Sequence, residues 1–465
     1  MRLHTIGGLA LLFLTTSATA QDAPYQKQAR DIYSNIVGMR SSKGHGGAKA
    51  ESEYLAGVLK AGGVSATDIA FLPLGETQAM VVRIPGSDAS RKPVLFSAHM
   101  DVVDARPEDW QRDPFKLVEE NGDFYGRGTT DNKAGVTALV STILRLKADK
   151  AVPARTLLFA FVGDEETEMA TTRLIADHEW VKGAEFAINA DAGGGLLDDE
   201  SGKPLIYLVQ GAEKTYATFE LTVTNAGGHS SRPRADNAIY QLAHALMKLE
   251  AFRFPVTYND LSRAYLGAVG KTKEGKLGEA LRAFSANPED AAAVELLANT
   301  PEFVGTTRTT CVATMLDAGH AENALPQKAK ATVNCRIFPG VAVDSVRDTI
   351  TSTIADPAIT ITTLQDPQAS PVSEMRDDVV AAITASVRKH YATVPIVPYL
   401  ESGATDGKVY RTAGIPTFGS SGLFYKPTEM FAHGLNERLP VRAFYEGVDH
   451  IHDLAVTLGG VAPGR

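Results

Sequence analysis

Three unbroken apolar runs, PVLFSAH (93–99), TLLFAFVG (156–163) and EFAINAD (185–191), constrain this chain more than any other feature. A strand with one face in water alternates polar and apolar residues, so a strand without that alternation needs cover on both faces. Between and before the runs lie segments with helical apolar spacing. EYLAGVLKAGG (53–63) closes on a glycine stop, and NKAGVTALVSTILRLKADK (132–150) places Val136, Leu139, Val140, Ile143 and Leu144 on one side. Strands alternating with helices predict an α/β fold, a doubly wound and mostly parallel sheet with helices on both faces.

The texture changes near 213. TYATFELTVTNA (215–226) has the two-residue period of a half-exposed strand, and NAIYQLAHALMKLE (237–250) is helical. A helical stretch near 275–300 follows, then two strand-like runs, TTCVATMLDAG and AKATVNCRIFPG, then DSVRDTITSTIAD and ITITTL. With residues 255–305 set aside as an insertion, the order is βαββαβ, which predicts a small ferredoxin-like (α+β) domain. After about 370 the first texture returns in VVAAITASVRKHY and GIPTFGSSG. The expected organisation is a catalytic domain in two parts, 21–212 and 367–465, with a lid or dimerisation domain, 213–366, inserted between them.

Residues 1–20 stand apart from this pattern. Arg2 and His4 precede the apolar run IGGLALLFL, and Ala18-x-Ala20 ends the segment, as in a cleavable signal peptide cut after Ala20. The run is too short to span a bilayer, so the expectation is a soluble periplasmic or secreted protein. Loss of Arg2 moves the net charge from −9 to −10. That acidic balance, with no long basic run, excludes nucleic acid and an anionic membrane as partners.

Cys311 and Cys335 are the only cysteines, which excludes cysteine-based zinc and iron–sulfur sites. If their two runs pair as a hairpin centred near Asn323, the cysteines sit opposite one another and an oxidising compartment would permit a disulfide. Two separate buried thiols fit the sequence equally well.

In a doubly wound sheet, functional groups gather at the carboxyl ends of the strands. The three apolar runs end in His99 and Asp101, in Asp164, Glu165 and Glu166, and in Asp191, while Asp131 lies in GRGTTDNKAG just before a helix. Singly, each has an ordinary reading: a structural histidine, a solvated acidic loop, a helix N-cap. Jointly they place several negative charges on one sheet edge, which is costly unless cations neutralise them. Imidazole and carboxylate donors without cysteine suit zinc, with cobalt or manganese as alternative occupants. His99, Asp131, Glu166, Asp191 and a later histidine exceed the needs of one tetrahedral ion and suggest two metals sharing a carboxylate and a water or hydroxide. Glu165 and Glu166 divide into base and ligand. Residues two apart on an extended backbone point the same way, so the Asp101 side chain is expected to orient the His99 ring. No complete G-x-G-x-x-G or G-K-[ST] loop speaks for nucleotide binding, and no G-x-S-x-G elbow precedes a helix.

The motifs SAHMDVVD, GRGTTDNKAG, GDEE, NADAG, GGHSSRPRADNA, ENALPQKA, CRIFPG, ATDG and AHGLNE run in order from about 95 to 437. As an ordered set they resemble the co-catalytic zinc metallopeptidase family of carboxypeptidase G, aminoacylases, carnosine-type dipeptidases, succinyl-diaminopimelate desuccinylase and acetylornithine deacetylase. The resemblance implies two zinc ions per subunit, one held by His99 and Asp191, the other by Glu166 and His433, with Asp131 bridging. It implies Glu165 as general base and Asp101 as the acid behind His99. In the inserted domain, which resembles the family's lid and dimer-forming element, it implies His229 as a donor to the tetrahedral oxyanion, supplied by the partner in dimeric members. Asn323 and Arg336 match positions that hold the substrate's carbonyl and free carboxylate; for Arg336 an ordinary surface cation is the competing reading. His45 and His320 match no catalytic position.

The implied activity is hydrolysis of a peptide or N-acyl amide bond by metal-activated water, as a carboxypeptidase or dipeptidase, with an N-acyl-amino-acid hydrolase as the alternative. Two departures leave the substrate open: the 255–305 insertion resembles the carboxypeptidase S-like branch, and ESGATDG replaces a more glycine-rich loop. A reading from another class, a solute-binding or metal-storage protein, is opposed by Glu165, since a binder has no need of a non-ligating base beside Glu166.

Overall fold

The computed structural model describes residues 24–462, so the expected leader, 1–20, lies outside the described residues. A ten-stranded sheet forms the centre. In spatial order it runs Ile69–Leu74, Thr77–Ile84, Leu157–Val162, Val94–His99, Phe186–Asn189, Thr417–Gly419, Pro204–Glu213, Gly194–Leu197 and Phe424–Tyr425, with Ile396–Glu401 also paired to Pro204–Glu213. The three apolar runs lie side by side and parallel at its heart. Antiparallel pairs extend the sheet on its flanks.

Every residue of Val94–His99 and Leu157–Val162 is buried, because alternate side chains enter two different cores. Val94, Phe96, Ala98, Leu157, Phe159 and Phe161 pack with helices Lys133–Ala148 and Val441–Gly459. Leu95, Leu158, Ala160 and Val162 pack on the opposite face with Ile175, Val409 and Tyr410. At about 1.5–3 kcal/mol for each large apolar side chain buried, this two-sided cover explains why the runs carry no polar alternation.

A second, four-stranded antiparallel sheet orders Thr310–Ala318, Lys328–Ile337, Thr215–Thr224 and Ile359–Leu364. Ala329, Ala331, Val333, Cys335 and Ile337 turn inward against helices Ala238–Ala251 and Val343–Ile354. The 255–305 insertion differs from the single helical stretch expected near 275–300. It holds four helices, Asp260–Thr272, Gly275–Ala286, Ala291–Ala298 and Pro301–Val304. Leu266, Leu281, Phe284 and Phe303 pack against Leu208, Val397 and Tyr399 of the large sheet. The insertion therefore leaves the chain order of the small domain but spends its apolar face on the large one.

Cys311 and Cys335 are directly opposed in the antiparallel register and joined by a disulfide. That decides between the two readings left open by the sequence. No helix among the described residues is long and apolar enough to cross a membrane.

Candidate active site

His99 is the last residue of its strand, Glu165 and Glu166 follow Val162 by three and four residues, and Asp191 follows Asn189 by two. Parallel strands ending at one level bring these side chains to a common edge. The His99 ring, fully buried, donates from Nδ1 to the backbone carbonyl of Asp101 at 2.9 Å. That bond turns Nε2 toward Asp131 Oδ1 at 2.8 Å and Asp191 Oδ1 at 3.4 Å. The expected orienting contact thus comes from the Asp101 main chain. Its carboxylate stands 3.7 Å from Nδ1 and accepts the backbone N–H groups of Glu165 and Glu166, each at 3.0 Å. The strand ends at His99, so the alternation that would aim both side chains the same way ends with it.

Asp131 precedes helix Lys133–Ala148, but Asn132 occupies the N-cap position and makes no capping bond. The Asp131 carboxylate faces the cluster instead. Its Oδ1 meets His99 and its Oδ2 lies 3.0 Å from His433 Nε2, which is also 2.9 Å from Glu166 Oε1. Three triads result, His99–Asp131–Asp191, Asp131–Glu166–His433 and His99–Glu165–Glu166, each with donor atoms within 4.8 Å of one another; Asp131 joins the first two. Asn132 supports the first by donating from Nδ2 to Asp191 Oδ1 at 2.5 Å. The neighbouring acid Asp164 has the ordinary fate of a loop carboxylate. It accepts from the N–H groups of Ala170 and Thr171 at the start of helix Ala170–Asp177.

The electrostatics describe a site that demands positive charge. Hydrogen bonds to Asp131 and Glu166 raise the His433 imidazole to about 10, although burial opposes the shift. Burial disfavours the charged His99 ring, yet Asp191 and Asp131 still push it well above its ordinary value. Burial raises Glu165 well above the usual carboxylate range, with Asp191, Asp406 and Glu166 adding to it against the pull of His99. Glu165 Oε1 is buried without a hydrogen-bond partner. Two imidazoles and the three carboxylates of Asp131, Asp191 and Glu166, with one Asp131 oxygen directed to each ring, form a donor set that fits two divalent cations.

A cavity of about 380 Å³ opens over the cluster, walled further by Tyr399, Glu401, Thr405, Leu423, Tyr425 and Met430. The three residues expected from the inserted domain do not line it. His229 and Asn323 lie together at the ribbon of Gly228–His229 and Ala324–Leu325, where the Asn323 carbonyl accepts from the Ser230 N–H. His229 is exposed, its Nδ1 2.9 Å from Ser231 Oγ. Arg336 lies over the Tyr216 ring at 4.7 Å, and Glu401 is among the charges acting on it.

Several residues that shape the site escaped the sequence reading. Asp406, wholly buried, is hydrogen-bonded by Thr172 Oγ1 and pushed up to about 8, mainly by burial, against the pull of His99. Glu437 and Arg127 tie the Asp131 loop to the His433 loop. ATDG and AHGLNE contain two of these residues, but an acid in a motif carries no mark of whether it faces a ligand or the backbone.

Residues 95–457 match the model of peptidase family M20/M25/M40. Among curated proteins, the human N-fatty-acyl-amino acid synthase/hydrolase PM20D1 is 30% identical over 392 residues, covering 82% of this chain and 76% of that protein. The probable carboxypeptidase S-like 2 of Dictyostelium discoideum is 27% identical over 389 residues, covering 81% and 73%. Among solved structures, the M20 family metallo-carboxypeptidase Sso-CP2 from Sulfolobus solfataricus superposes with a TM-score of 0.70 at 19% identity, covering 93% of this chain and 99% of that one. With a family match over most of its length and the fold to go with it, the chain belongs to peptidase family M20/M25/M40.

Proposed function

We propose that this protein is a dizinc hydrolase that cleaves a peptide or N-acyl amide bond next to an amino acid bearing a free carboxylate. One observation carries the reading: Asp131 offers one carboxylate oxygen to each of two imidazole-centred triads. Glu165, which lies within donor range of His99 and Glu166 and keeps a buried Oε1 with no hydrogen-bond partner, is assigned the role of base. In this reading His99 and Asp191 would hold one zinc and Glu166 and His433 the other, with Asp131 offering a carboxylate oxygen to each. The metals would supply a water of lowered pKa and positive charge against the scissile carbonyl oxygen. Glu165 takes the attacking water's proton and returns it to the leaving amine nitrogen. Asp101, by holding the N–H groups of Glu165 and Glu166, keeps base and ligand on one rigid turn. Asn323 and Arg336, which do not line the cavity of the single chain, are assigned by the motif resemblance to receive the substrate's carbonyl and carboxylate.

Carboxypeptidase or dipeptidase action is the leading version. N-acyl-amino-acid hydrolysis is favoured by the similarity to the human N-fatty-acyl-amino acid synthase/hydrolase and by the apolar wall of Leu423, Tyr425 and Met430. The test incubates zinc-reconstituted protein with dipeptides, longer peptides and N-acyl amino acids and identifies products by mass spectrometry. Chelator-sensitive release of an amino acid is the expected result. Bound metal with no turnover across the three classes would sink the reading in favour of a binding protein.

Export to a periplasmic or extracellular compartment is part of the proposal, supported by the leader pattern of residues 1–20 and by the Cys311–Cys335 disulfide. So is a homodimer. Strand Thr310–Ala318 is a sheet edge that exposes Val312, Met315 and Leu316, a surface that invites cover by a second copy. His229 stands on the same domain and away from its own chain's cavity, as a residue supplied to the partner would. If so, His229→Ala and Glu165→Gln chains, each inactive alone, regain turnover when mixed under exchange conditions, because one of the two hybrid sites has both groups. No recovery after demonstrated subunit exchange refutes the shared site.

A further inference from the structure

Glu437 follows His433 by four residues, is completely buried, and contacts none of the candidate ligand atoms. Its carboxylate is nevertheless saturated. Oε1 accepts the backbone N–H groups of Thr130 at 2.8 Å and Asp131 at 3.1 Å. Oε2 accepts the N–H of Gly128 at 3.0 Å and Nη1 of Arg127 at 2.6 Å. Three converging backbone N–H groups and a guanidinium make an anion nest, here filled by a side chain from another loop. Arg127 completes the connection: its Nη2 donates to the His433 carbonyl at 3.2 Å, and its guanidinium lies 5.1 Å from the centre of the Trp110 ring.

We propose that Glu437 and Arg127 are positioning residues that assemble the second metal position, by locking the loop that carries Asp131 to the loop that carries His433. This rests on the dimetal reading above and assigns the two positions unequal dependence on one buried carboxylate. His99 belongs to a central strand and Asp191 follows another directly, so the first position is held by the sheet. His433 has no such support. It is half-exposed, lies in a loop with a left-handed backbone (φ 64°), and is tied back through the Arg127 bond to its carbonyl. Without the brace, Asp131 can still serve His99 and Asp191, but His433 and Glu166 lose their fixed partner.

Glu437→Gln keeps the shape and reverses part of the chemistry. Its NH2 group must face either the Thr130 and Asp131 N–H groups or those of Arg127 and Gly128, so two acceptor bonds become donor against donor. Arg127→Lys keeps the charge against Glu437 but loses the fork that also reaches His433.

The experiment titrates metal-free full-length protein with Zn2+ against a competing chelator and counts bound metal by elemental analysis. The Co2+ d–d spectrum serves as a second readout. Wild type is expected to take two equivalents. Both variants are expected to keep the first at wild-type affinity and to bind the second about 10–100-fold more weakly, with the matching half of the Co2+ spectrum lost. Two equivalents at wild-type affinity in both variants overturn the proposal, and so does equal weakening of both equivalents. If Glu437→Gln shows no cooperative melt, Arg127→Lys decides alone by the same criteria. Fewer than two equivalents in wild type would overturn the dimetal reading itself, a result distinct from failure of the brace.

Discussion

Replacing Glu165 with Gln is expected to lower kcat by about 10²–10⁴-fold with metal content unchanged. The separation of these two effects follows from where the side chain stands. Glu165 is buried, its Oε1 has no hydrogen-bond partner, and its backbone N–H is fixed by Asp101. An amide of the same shape can occupy that place without disturbing Glu166, whose own N–H is held by the other Asp101 oxygen. What the amide lacks is a lone pair basic enough to take a proton. Burial already lifts the Glu165 carboxyl well above its ordinary range, which moves it toward the value at which it can both accept the water's proton and release it to the leaving nitrogen. KM should change little, because the group acts on the water and not on the substrate's recognition elements. Elemental analysis and steady-state kinetics on the same preparation check both halves. Near-normal turnover in a fully metal-loaded Gln variant would remove Glu165 from the role of base.

How far the sequence could be read depends on which force placed each residue. The apolar runs were legible because two-sided burial leaves no freedom: Phe96 and Leu95 enter different cores, so both must be apolar. The convergence of His99, Glu165, Glu166 and Asp191 followed from strand ends alone. Residues placed by hydrogen bonds behaved otherwise. Asp131 and Asn132 are both good helix caps, and only the fold assigns one to the cluster and the other to Asp191. Asp164 and Glu165 are adjacent acids, yet backbone N–H groups claim the first for a helix end. The His99 ring took its partner from a carbonyl, a group that every residue carries and no sequence can flag. The insertion was visible as helical, but its packing against Leu208, Val397 and Tyr399 depends on contacts between segments far apart in the sequence. His229 and Asn323 show the converse. Their motifs were legible, yet neither residue lines the cavity.

Asp131→Ala is expected to have the opposite signature to the loss of Glu165: turnover falls to background because neither metal position holds its ion at micromolar free Zn2+. Asp131 is the one residue common to the two triads it joins. Its removal leaves His99 with Asp191 on one side and His433 with Glu166 on the other, two donors each, one fewer than a catalytic zinc requires. It also removes a negative charge that each retained pair needs to attract a cation. His433→Ala, by contrast, should cost only the second equivalent, since His99, Asp131 and Asp191 survive it. Metal counting on the two variants therefore distinguishes a bridging carboxylate from an ordinary ligand. A further readout needs no metal at all. In the metal-free chain the His433 imidazole is raised to about 10, with Asp131 the largest cause and Glu166 the next. In Asp131→Ala the ring should titrate closer to its ordinary value of about 6.5, still raised by Glu166, so at pH 8 it passes from charged toward neutral. Imidazole NMR of the metal-free variant measures the shift. An unchanged His433 titration, or two metals retained by Asp131→Ala, would show that the carboxylate does not stand between the two rings.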